Sequence, residues 1–267
     1  MDSELLKKLQ ETELEILIDI DDFCRKNNIK YSVYAGTLLG AVRHNGFIPW
    51  DDDIDIAMTR NEYRKFCNLF AEKPMNGYYF ENYENDNYCG TCHGKVRKLN
   101  TVLLQDGERK DVGHHEIWVD IFPLDKTCKQ SEKKIKKIGR ENIFLARANT
   151  INLNDSCIKR IIRFLIRLIP YFIRKRILKN NTRVLEKYSD DTIVDYEWTS
   201  LSTLENIDKI RFPKDLCENY TNVFFEKKQF MAFCEYNEML KILFGDYMEL
   251  PPEEERICKH NPITILF

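Results

Sequence analysis

The sequence has almost no net charge, because its 41 lysines and arginines are balanced by 43 aspartates and glutamates over 267 residues. This balance gives no global indication of a nucleic-acid partner, which usually selects a basic excess. We also find no internal repeat, no low-complexity tract and no long flexible linker. The hydrophobic fraction of 43% is enough for a substantial core. These features predict a globular protein whose function depends on local groups of charges.

The first residues and the cysteines indicate a compartment. The opening MDSELLKKLQETE is charged and lacks the apolar stretch of a secretory signal. The cysteines are nine in number, and their spacings do not resemble a disulfide framework. We therefore expect a cytoplasmic protein with mostly free thiols.

Hydrophobic periodicity predicts a small α/β core, residues 1–126, followed by a mainly helical portion, residues 127–267. Thr37 is the predicted N-cap of a short helix that Gly46 ends. In the first portion, helices are predicted at 3–28, 37–46 and 60–73, and strands at 29–36, 53–58, 94–107 and 115–125. In the second portion, helices are predicted at 131–150, at 157–181 with an interruption at Pro170, and at 228–245.

The segment GFIPWDDDIDIAM, residues 46–58, has four aspartates in five positions within an apolar run. On a strand, Asp53 and Asp55 share one face while their isoleucine neighbours point into the core. Two carboxylates held this close repel each other unless a cation lies between them. Asp120 is a lone acid in a second apolar strand pattern, and it would complete a three-carboxylate site for two Mg²⁺ ions. The alternative is a solvated acidic turn, which the regular apolar alternation disfavours.

Candidate phosphate-binding residues lie on both sides of this segment. Gly36 and Thr37 fall at a predicted strand-to-helix junction, where backbone N–H groups and a helix N-terminus can cradle a phosphate. The cations that could neutralise phosphate charge are Arg43, His44, Lys95, Arg97 and Lys98. Each of them could equally be an ordinary surface cation. His114 and His115 are adjacent, so on a strand they face opposite ways, and one of them is a candidate for contact with phosphate.

Three blocks of sequence resemble a known family. AGTLLGAVRHNGFIPWDDDIDIAM, residues 35–58, closely resembles the signature of the LicD family of phosphocholine transferases, which includes the fukutin-related proteins. HHEIWVDIFPLD, residues 114–125, and LFGDYMELPPEEER, residues 243–256, resemble the family's second and C-terminal blocks. The blocks occur in family order and span most of the chain.

The resemblance implies an α/β nucleotidyltransferase-like fold with a mixed sheet and an additional mainly helical region. It also implies transfer of a phospho-alcohol, typically phosphocholine from CDP-choline, to a hydroxyl of a cell-surface glycan or its lipid-linked precursor. Asp53, Asp55 and Asp120 match the family's metal-binding acids for Mg²⁺ or Mn²⁺, and Asp51 is an additional ligand. Gly36 and Thr37 match its glycine turn.

The same resemblance gives a mechanism as a hypothesis. A glycan hydroxyl attacks the phosphorus that carries the alcohol, and CMP leaves with its charge neutralised by metal and by Lys95 or Arg97. Asp120 is the first candidate for general base, although activation of the hydroxyl by metal could suffice. Two departures from the family pattern, Ala35 and Glu116, stand where glycine is usual and bear on donor or acceptor contacts.

The sequence leaves the transferred group open. A choline headgroup needs aromatic faces, and the candidates are Trp50, Trp118, Trp198, Tyr83 and Tyr88. Since no box can be assigned, choline is not separated from ethanolamine, glycerol or ribitol. True nucleotidyl transfer at the same metal site and a non-catalytic scaffold at a membrane surface are the alternatives, and the presence of all three acids disfavours the scaffold.

Two further segments suggest sites of other kinds. Cys89, Cys92 and His93 match a haem-attachment pattern, which would need an exported chain, or a zinc site, which no second CxxC supports. Residues 158–180 place eight lysines and arginines among large aliphatics, too many for a spanning helix. That segment predicts either an amphipathic surface on the inner leaflet of a membrane or a helix pair packed on the core with a cationic outer face.

Overall fold

A computed structural model describes residues 1–87, 89, 91–106, 113–147, 156–188, 195–202, 204–258 and 262–267. Its helices are α1 (Ser3–Lys26), α2 (Ala35–His44), α3 (Arg60–Glu72), α4 (Glu132–Arg147), α5 (Cys157–Arg167), α6 (Tyr171–Tyr188), α7 (Leu204–Lys209) and α8 (Tyr236–Phe244). Its strands are β1 (Ser32–Val33), β2 (Asp55–Thr59), β3 (Tyr78–Glu81), β4 (Gly94–Lys98), β5 (Val102–Gln105), β6 (Trp118–Thr127), β7 (Glu197–Ser200), β8 (Tyr220–Phe225), β9 (Lys228–Phe233) and β10 (Pro262–Leu266).

The central sheet has six strands and is mixed. Its order is β1-β2-β6-β4-β3, and β7 pairs with the last part of β6 on the edge where β4 pairs with the first part. Strands β2 and β6 are parallel, and the other pairs in this sheet are antiparallel. Strands β5 and β10 form one separate pair, and β8 and β9 form another. The combination of helices with a mixed sheet confirms the predicted α/β class.

Helix α1 forms because its apolar residues recur on one face, and Leu9, Ile16 and Ile20 of that face are fully buried. The Asp2 side chain caps the helix by accepting from Leu5 N at 2.8 Å. The largest group of packed buried residues runs from Leu9 to Leu240 and therefore crosses the boundary predicted near residue 126. The division into 1–126 and 127–267 stays a prediction.

A buried ion pair ties α3 to the central sheet. Arg60 on α3 donates through Nε and Nη2 to the two carboxylate oxygens of Asp125 on β6, each at 2.7 Å. The two side chains are 4% and 1% exposed. Such a two-point contact supplies both partners with hydrogen bonds away from water, which a buried charge requires.

Several predicted elements are wrong in extent or type. The strand predicted at 29–36 contains only Ser32–Val33, and the one predicted at 94–107 is two strands separated by a turn in which Asn100 has φ +66°. The helix predicted at 228–245 begins at Tyr236, because Lys228–Phe233 forms β9 and pairs with β8. Glu226 and Lys227, both with positive φ, turn the chain between these strands, as tight hairpins require.

The other long helices agree with prediction, except that α6 runs to Tyr188, past the predicted end at residue 181. Helices α1 and α3 end within two residues of their predicted limits, and α4 covers the start of the segment predicted at 131–150, whose last three residues lie outside the described ones. Pro170 separates α5 from α6 as expected.

Candidate functional site

Three consecutive aspartates form a compact acidic loop just before β2. One carboxylate oxygen from each of Asp51, Asp52 and Asp53 lies within 4.8 Å of the others. Asp51 and Asp52 are buried, at 6% and 1% exposure. Strand β2 begins only at Asp55, so the prediction that Asp53 is a strand residue was wrong. The chain turns here instead, with Asp51 N donating to Ile48 O at 2.9 Å.

Asp55 and Asp120 lie side by side on the parallel strands β2 and β6. They are direct register partners, and the strands continue from them in register to Thr59 and Leu124. Partners in a parallel pair point to the same face, and neighbouring strands lie about 4.8 Å apart. The sheet therefore presents two carboxylates next to each other at the end where the acidic loop enters β2.

Asp120 is held by three donors. Lys95 Nζ lies 2.7 Å and His93 Nε2 3.0 Å from its Oδ1, while Trp118 Nε1 donates to Oδ2 at 2.9 Å. Burial acts to raise the pKa of Asp120, but the charges of Lys95 and His93 outweigh it and hold that pKa well below its usual range. A carboxylate with such a low pKa is a weak base. Asp120 is therefore better suited to bind a cation than to act as the predicted general base.

Glu13 lies beneath the acidic loop, on the buried face of α1. Its side chain is 1% exposed, and Oε2 has no hydrogen-bond partner among the described residues. Burial raises the pKa of Glu13 well above its ordinary value, and the charges of Asp53, Asp52, Asp51 and Asp120 raise it further. Because all four aspartates act on one buried carboxyl, the acidic loop and Asp120 lie in the same region as Glu13.

Glu13 was not among the site residues predicted from the sequence, although its position in the sequence is unusual. Glu13 comes four residues after Leu9 and three before Ile16, so an acid occupies the apolar stripe of α1. One turn earlier, Gln10 Nε2 donates to Asp51 O at 2.8 Å and fixes α1 to the acidic loop.

The glycine turn braces the acidic residues. A Cβ on Gly36 would come within 2.7 Å of Asp51 Oδ2, so a larger residue would displace the Asp51 carboxylate from its present position. Thr37 is not the N-cap of α2, which begins two residues earlier; its Oγ1 accepts from Asp55 N at 2.8 Å. Ala35 has φ +44°, in the left-handed region that favours glycine. The predicted contact of Gly36 and Thr37 with phosphate stays a prediction.

Trp50 directly precedes the acidic loop. It belongs to a cluster with Arg43, His44 and Arg256. Arg43 Nε donates to His44 Nε2 at 3.0 Å, and Arg256 Cζ lies 5.7 Å from the Trp50 ring centre. Burial lowers the pKa of both Arg43 and His44; Arg256 lowers that of Arg43 further, and Arg43 that of His44. Arg256 was not among the predicted residues, but it ends the C-terminal block of the resemblance.

The C-terminal segment depends on the same arginine. Arg43 Nη1 donates to the backbone carbonyls of Tyr247 and Glu249 at 2.9 and 3.0 Å. Arg43 therefore joins α2 to a segment more than two hundred residues later, which brings Arg256 to Trp50.

Lys95 and Arg97 lie on one face of β4 and approach the Trp118 ring at 4.2 and 5.2 Å. Lys95 reaches Asp120, whereas Arg97 is buried, donates to a Glu81 oxygen through Nε and donates to Glu116 O at 2.8 Å. Lys95 therefore belongs to the acidic site, whereas Arg97 is paired with Glu81 beside the Trp118 ring. Lys98, also predicted, forms an ion pair with Glu15.

The paired histidines have separate surroundings. His114 Nε2 lies 2.9 Å from Asp86 Oδ2, and its ring stacks on Tyr79 with centroids 4.4 Å apart. His115 lines a cavity of about 330 Å³ together with Thr101 and Thr264. The proposed phosphate contact of His115 stays a prediction.

Among the described residues of the CxxCH segment, Cys89, Cys92 and His93 do not form a group of potential metal ligands. Among the described residues, Asp51, Asp52 and Asp53 are the group of three or more potential ligands found within reach of one ion. Cys89 Sγ contacts Thr91 O at 3.5 Å, while His93 turns to Asp120 and packs on Phe122. The zinc alternative therefore loses support, and His93 joins the acidic site instead.

Comparison with known proteins shows which family model the sequence matches. Residues 28–144 match the family model LicD/FKTN/FKRP, nucleotidyltransferase domain. This range contains the acidic loop, Asp55, Asp120 and Lys95, so the part of the chain that is similar to this family includes the site described above.

One relative extends the similarity over most of the chain. The chain is 29% identical over 266 residues to the lipopolysaccharide cholinephosphotransferase LicD of Haemophilus influenzae, with 94% of this chain and 96% of that protein covered. An uncharacterised protein of Rickettsia typhi is 38% identical over 129 residues, which covers 48% of this chain and 39% of that protein. One of Rickettsia prowazekii is 37% identical over 121 residues, covering 42% and 44%.

Proposed function

We propose that the protein is a transferase that moves phosphocholine from CDP-choline to a hydroxyl of a cell-surface glycan or its lipid-linked precursor, with release of CMP. The observation that carries the proposal is the compact group of Asp51, Asp52 and Asp53 carboxylates beside the parallel register partners Asp55 and Asp120. The similarity to a cholinephosphotransferase over 94% of the chain supports the choice of phosphocholine.

The residues of this site fit a divalent cation such as Mg²⁺ or Mn²⁺. Carboxylate oxygens are its preferred ligands, and Glu13 Oε2 is a buried oxygen with no partner among the described residues. The acidic loop, together with Asp55 and Asp120, would hold the metal. When bound, it would neutralise phosphate charge and lower the pKa of a coordinated hydroxyl.

The chain's own residues would bind and orient the donor. Arg43 and Arg256 are close enough that the charge of Arg256, in addition to burial, lowers the pKa of Arg43, an arrangement that favours an anion between them. A diphosphate placed there lies beside Trp50 and the acidic loop that follows it. Gly36 and Thr37 keep that loop in place, and Lys95 supplies a positive charge at Asp120.

One alternative is transfer of another CDP-linked alcohol, namely ethanolamine, glycerol or ribitol. A second is nucleotidyl transfer, which the name of the matched domain favours. Two CDP-choline samples, one labelled in the nucleotide and one in the choline, distinguish phosphocholine transfer from nucleotidyl transfer. In phosphocholine transfer, only the label in the choline is found on the product. Nucleotidyl transfer would put CMP there instead.

The experiment measures CMP release by purified protein with Mg²⁺ and each CDP-alcohol in turn, with and without an envelope glycan extract. Acceptor-dependent release from CDP-choline, lost in Asp53→Asn and retained in Asp22→Asn, is the expected result. Asp22 is a suitable control because it is an exposed aspartate on α1. Full turnover by Asp53→Asn, or release that no acceptor stimulates from any donor, would overturn the proposal.

A further inference from the structure

Helix α5 exposes its apolar side chains. Ile158, Ile161 and Leu165 are 70%, 58% and 55% exposed, and no residue of the helix is buried. These residues follow the spacing i, i+3, i+7, which places them on one face. An apolar face of this kind normally packs against a protein core, but here it points into solvent.

The opposite face of α5 is cationic. Lys159, Arg160, Arg163 and Arg167 share it, and the sequence from residue 156 to residue 185 contains no aspartate or glutamate. The chain then turns at Pro170 and continues the pattern at the start of α6, where Phe172 is 71% exposed and Lys175 and Arg176 follow. Apolar exposure and unbroken positive charge thus occur on the same surface.

The sequence also allowed both helices to pack on the core with a cationic outer face. Helix α6 does pack on the core, but α5 does not bury any residue there. Arg174, Leu178, Thr182 and Leu185 of α6 are buried against the body of the protein. Helix α5 has only half-buried contact with it, through residues such as Ile166. None of the described helices is long and apolar enough to cross a membrane.

We propose that α5 and the start of α6, the segment 157–173, lie in the headgroup region of an anionic phospholipid bilayer. The apolar face of an interfacial helix inserts below the headgroups while its lysines and arginines attract anionic lipid. Opposed apolar and cationic faces, with no aspartate or glutamate from residue 156 to residue 185, match such a surface. The surface would bring the acidic site to lipid-linked glycan, a consequence that rests on the proposed function, whereas lipid binding itself does not.

The test is sedimentation of the full chain with sucrose-loaded vesicles of phosphatidylcholine, with and without phosphatidylglycerol. We expect binding to the anionic vesicles that high salt weakens, and much weaker binding to the neutral ones. The double variant Ile161→Ser/Leu165→Ser should bind anionic vesicles about tenfold more weakly or worse, because two inserted side chains are lost.

A matched control removes exposed apolar side chains elsewhere. Phe224 and Ile263 are 59% and 54% exposed, so Phe224→Ser/Ile263→Ser should bind vesicles as the unmodified protein does. All three proteins should unfold at the same temperature, since the substituted side chains are exposed. Equal vesicle binding by the two double variants would overturn the proposal. So would a lipid-free dimer that Ile161→Ser/Leu165→Ser abolishes, because a second copy would then cover α5. CMP release with a water-soluble acceptor tests the proposed function separately.

Discussion

Lys95 and Asp120 are direct partners across the antiparallel pair β4 and β6, and the ammonium of Lys95 lies 2.7 Å from Asp120 Oδ1. Lys95→Met would leave this buried carboxylate with one less donor and an unbalanced negative charge. We expect acceptor-dependent turnover to fall by roughly a hundredfold, as when a preorganised donor is removed from an active site. Lys95→Arg keeps the charge and should lose less. Normal turnover in Lys95→Met would remove Lys95 from the site.

Metal binding provides a second prediction. Excess chelator should abolish CMP release, and added Mg²⁺ or Mn²⁺ should restore it. Binding of Mn²⁺, followed by electron paramagnetic resonance, should weaken by about tenfold or more in Asp53→Asn, since a charged oxygen ligand is lost. Asp22→Asn serves again as control. An unchanged Mn²⁺ affinity in Asp53→Asn would place the cation elsewhere.

Glu13 should destabilise the metal-free fold at neutral pH. Its pKa is raised by burial and by the neighbouring aspartates, so the favourable contribution of its neutral form is complete below the ordinary value of 4.5 and is lost as the pH rises through the folded-state pKa. Glu13→Gln should therefore raise the free energy of unfolding in chelator at neutral pH, by about 1–3 kcal/mol, and much less in acid. Urea denaturation at the two pH values measures this. The exposed Glu11→Gln should show no such difference.

The ion pair between Arg60 and Asp125 predicts a large loss of stability. Arg60→Met leaves a carboxylate that is 1% exposed without its cation, and we expect a cost of about 3–5 kcal/mol in urea denaturation. The double variant Arg60→Met/Asp125→Leu should recover much of this, because no unpaired charge remains. Removal of the exposed pair Lys8–Glu4 should change stability by less than about 1 kcal/mol.

His114 predicts a loss of stability in alkali. Hydrogen bonds to Asp86 and Glu116 raise its pKa from 6.5 to about 9. Its stabilising contribution is complete below 6.5 and is lost as the pH rises through 9. Because the ring is 27% exposed, solvent screening reduces the expected contribution to about 1–2 kcal/mol. His114→Gln should lack this fall between neutral and alkaline pH, and an equal fall in both proteins would assign it to another group.

Much of the core could be predicted from local pattern. The stripe of α1 reflects burial on one face, which periodicity records directly, whereas the apolar runs around Asp55 and Asp120 belong to strands that are buried on both faces. Aspartates in an apolar run likewise pointed to the acidic site. Glu13 follows the same logic, because it is an acid within the buried apolar stripe of α1.

Other parts depend on partners far along the chain. Lys228–Phe233 is a strand because β8 pairs with it, and its own apolar spacing does not distinguish this from a helix. Arg256 reaches Trp50 because Arg43 binds the carbonyls of Tyr247 and Glu249. His93 was considered as a zinc ligand with the neighbouring cysteines, yet strand register brings it to Asp120 instead. Such contacts leave no periodic trace in sequence.

The core that extends from Leu9 to Leu240 has a consequence for synthesis. The acidic loop leaves the ribosome long before Leu240, and at about 5–20 residues per second the intervening residues take roughly 10–40 seconds to emerge. During that interval the first half has apolar faces without their partners. The enzyme should therefore acquire its active form only after Leu240 has emerged, and the nascent chain should be a client for chaperones that shield exposed apolar segments.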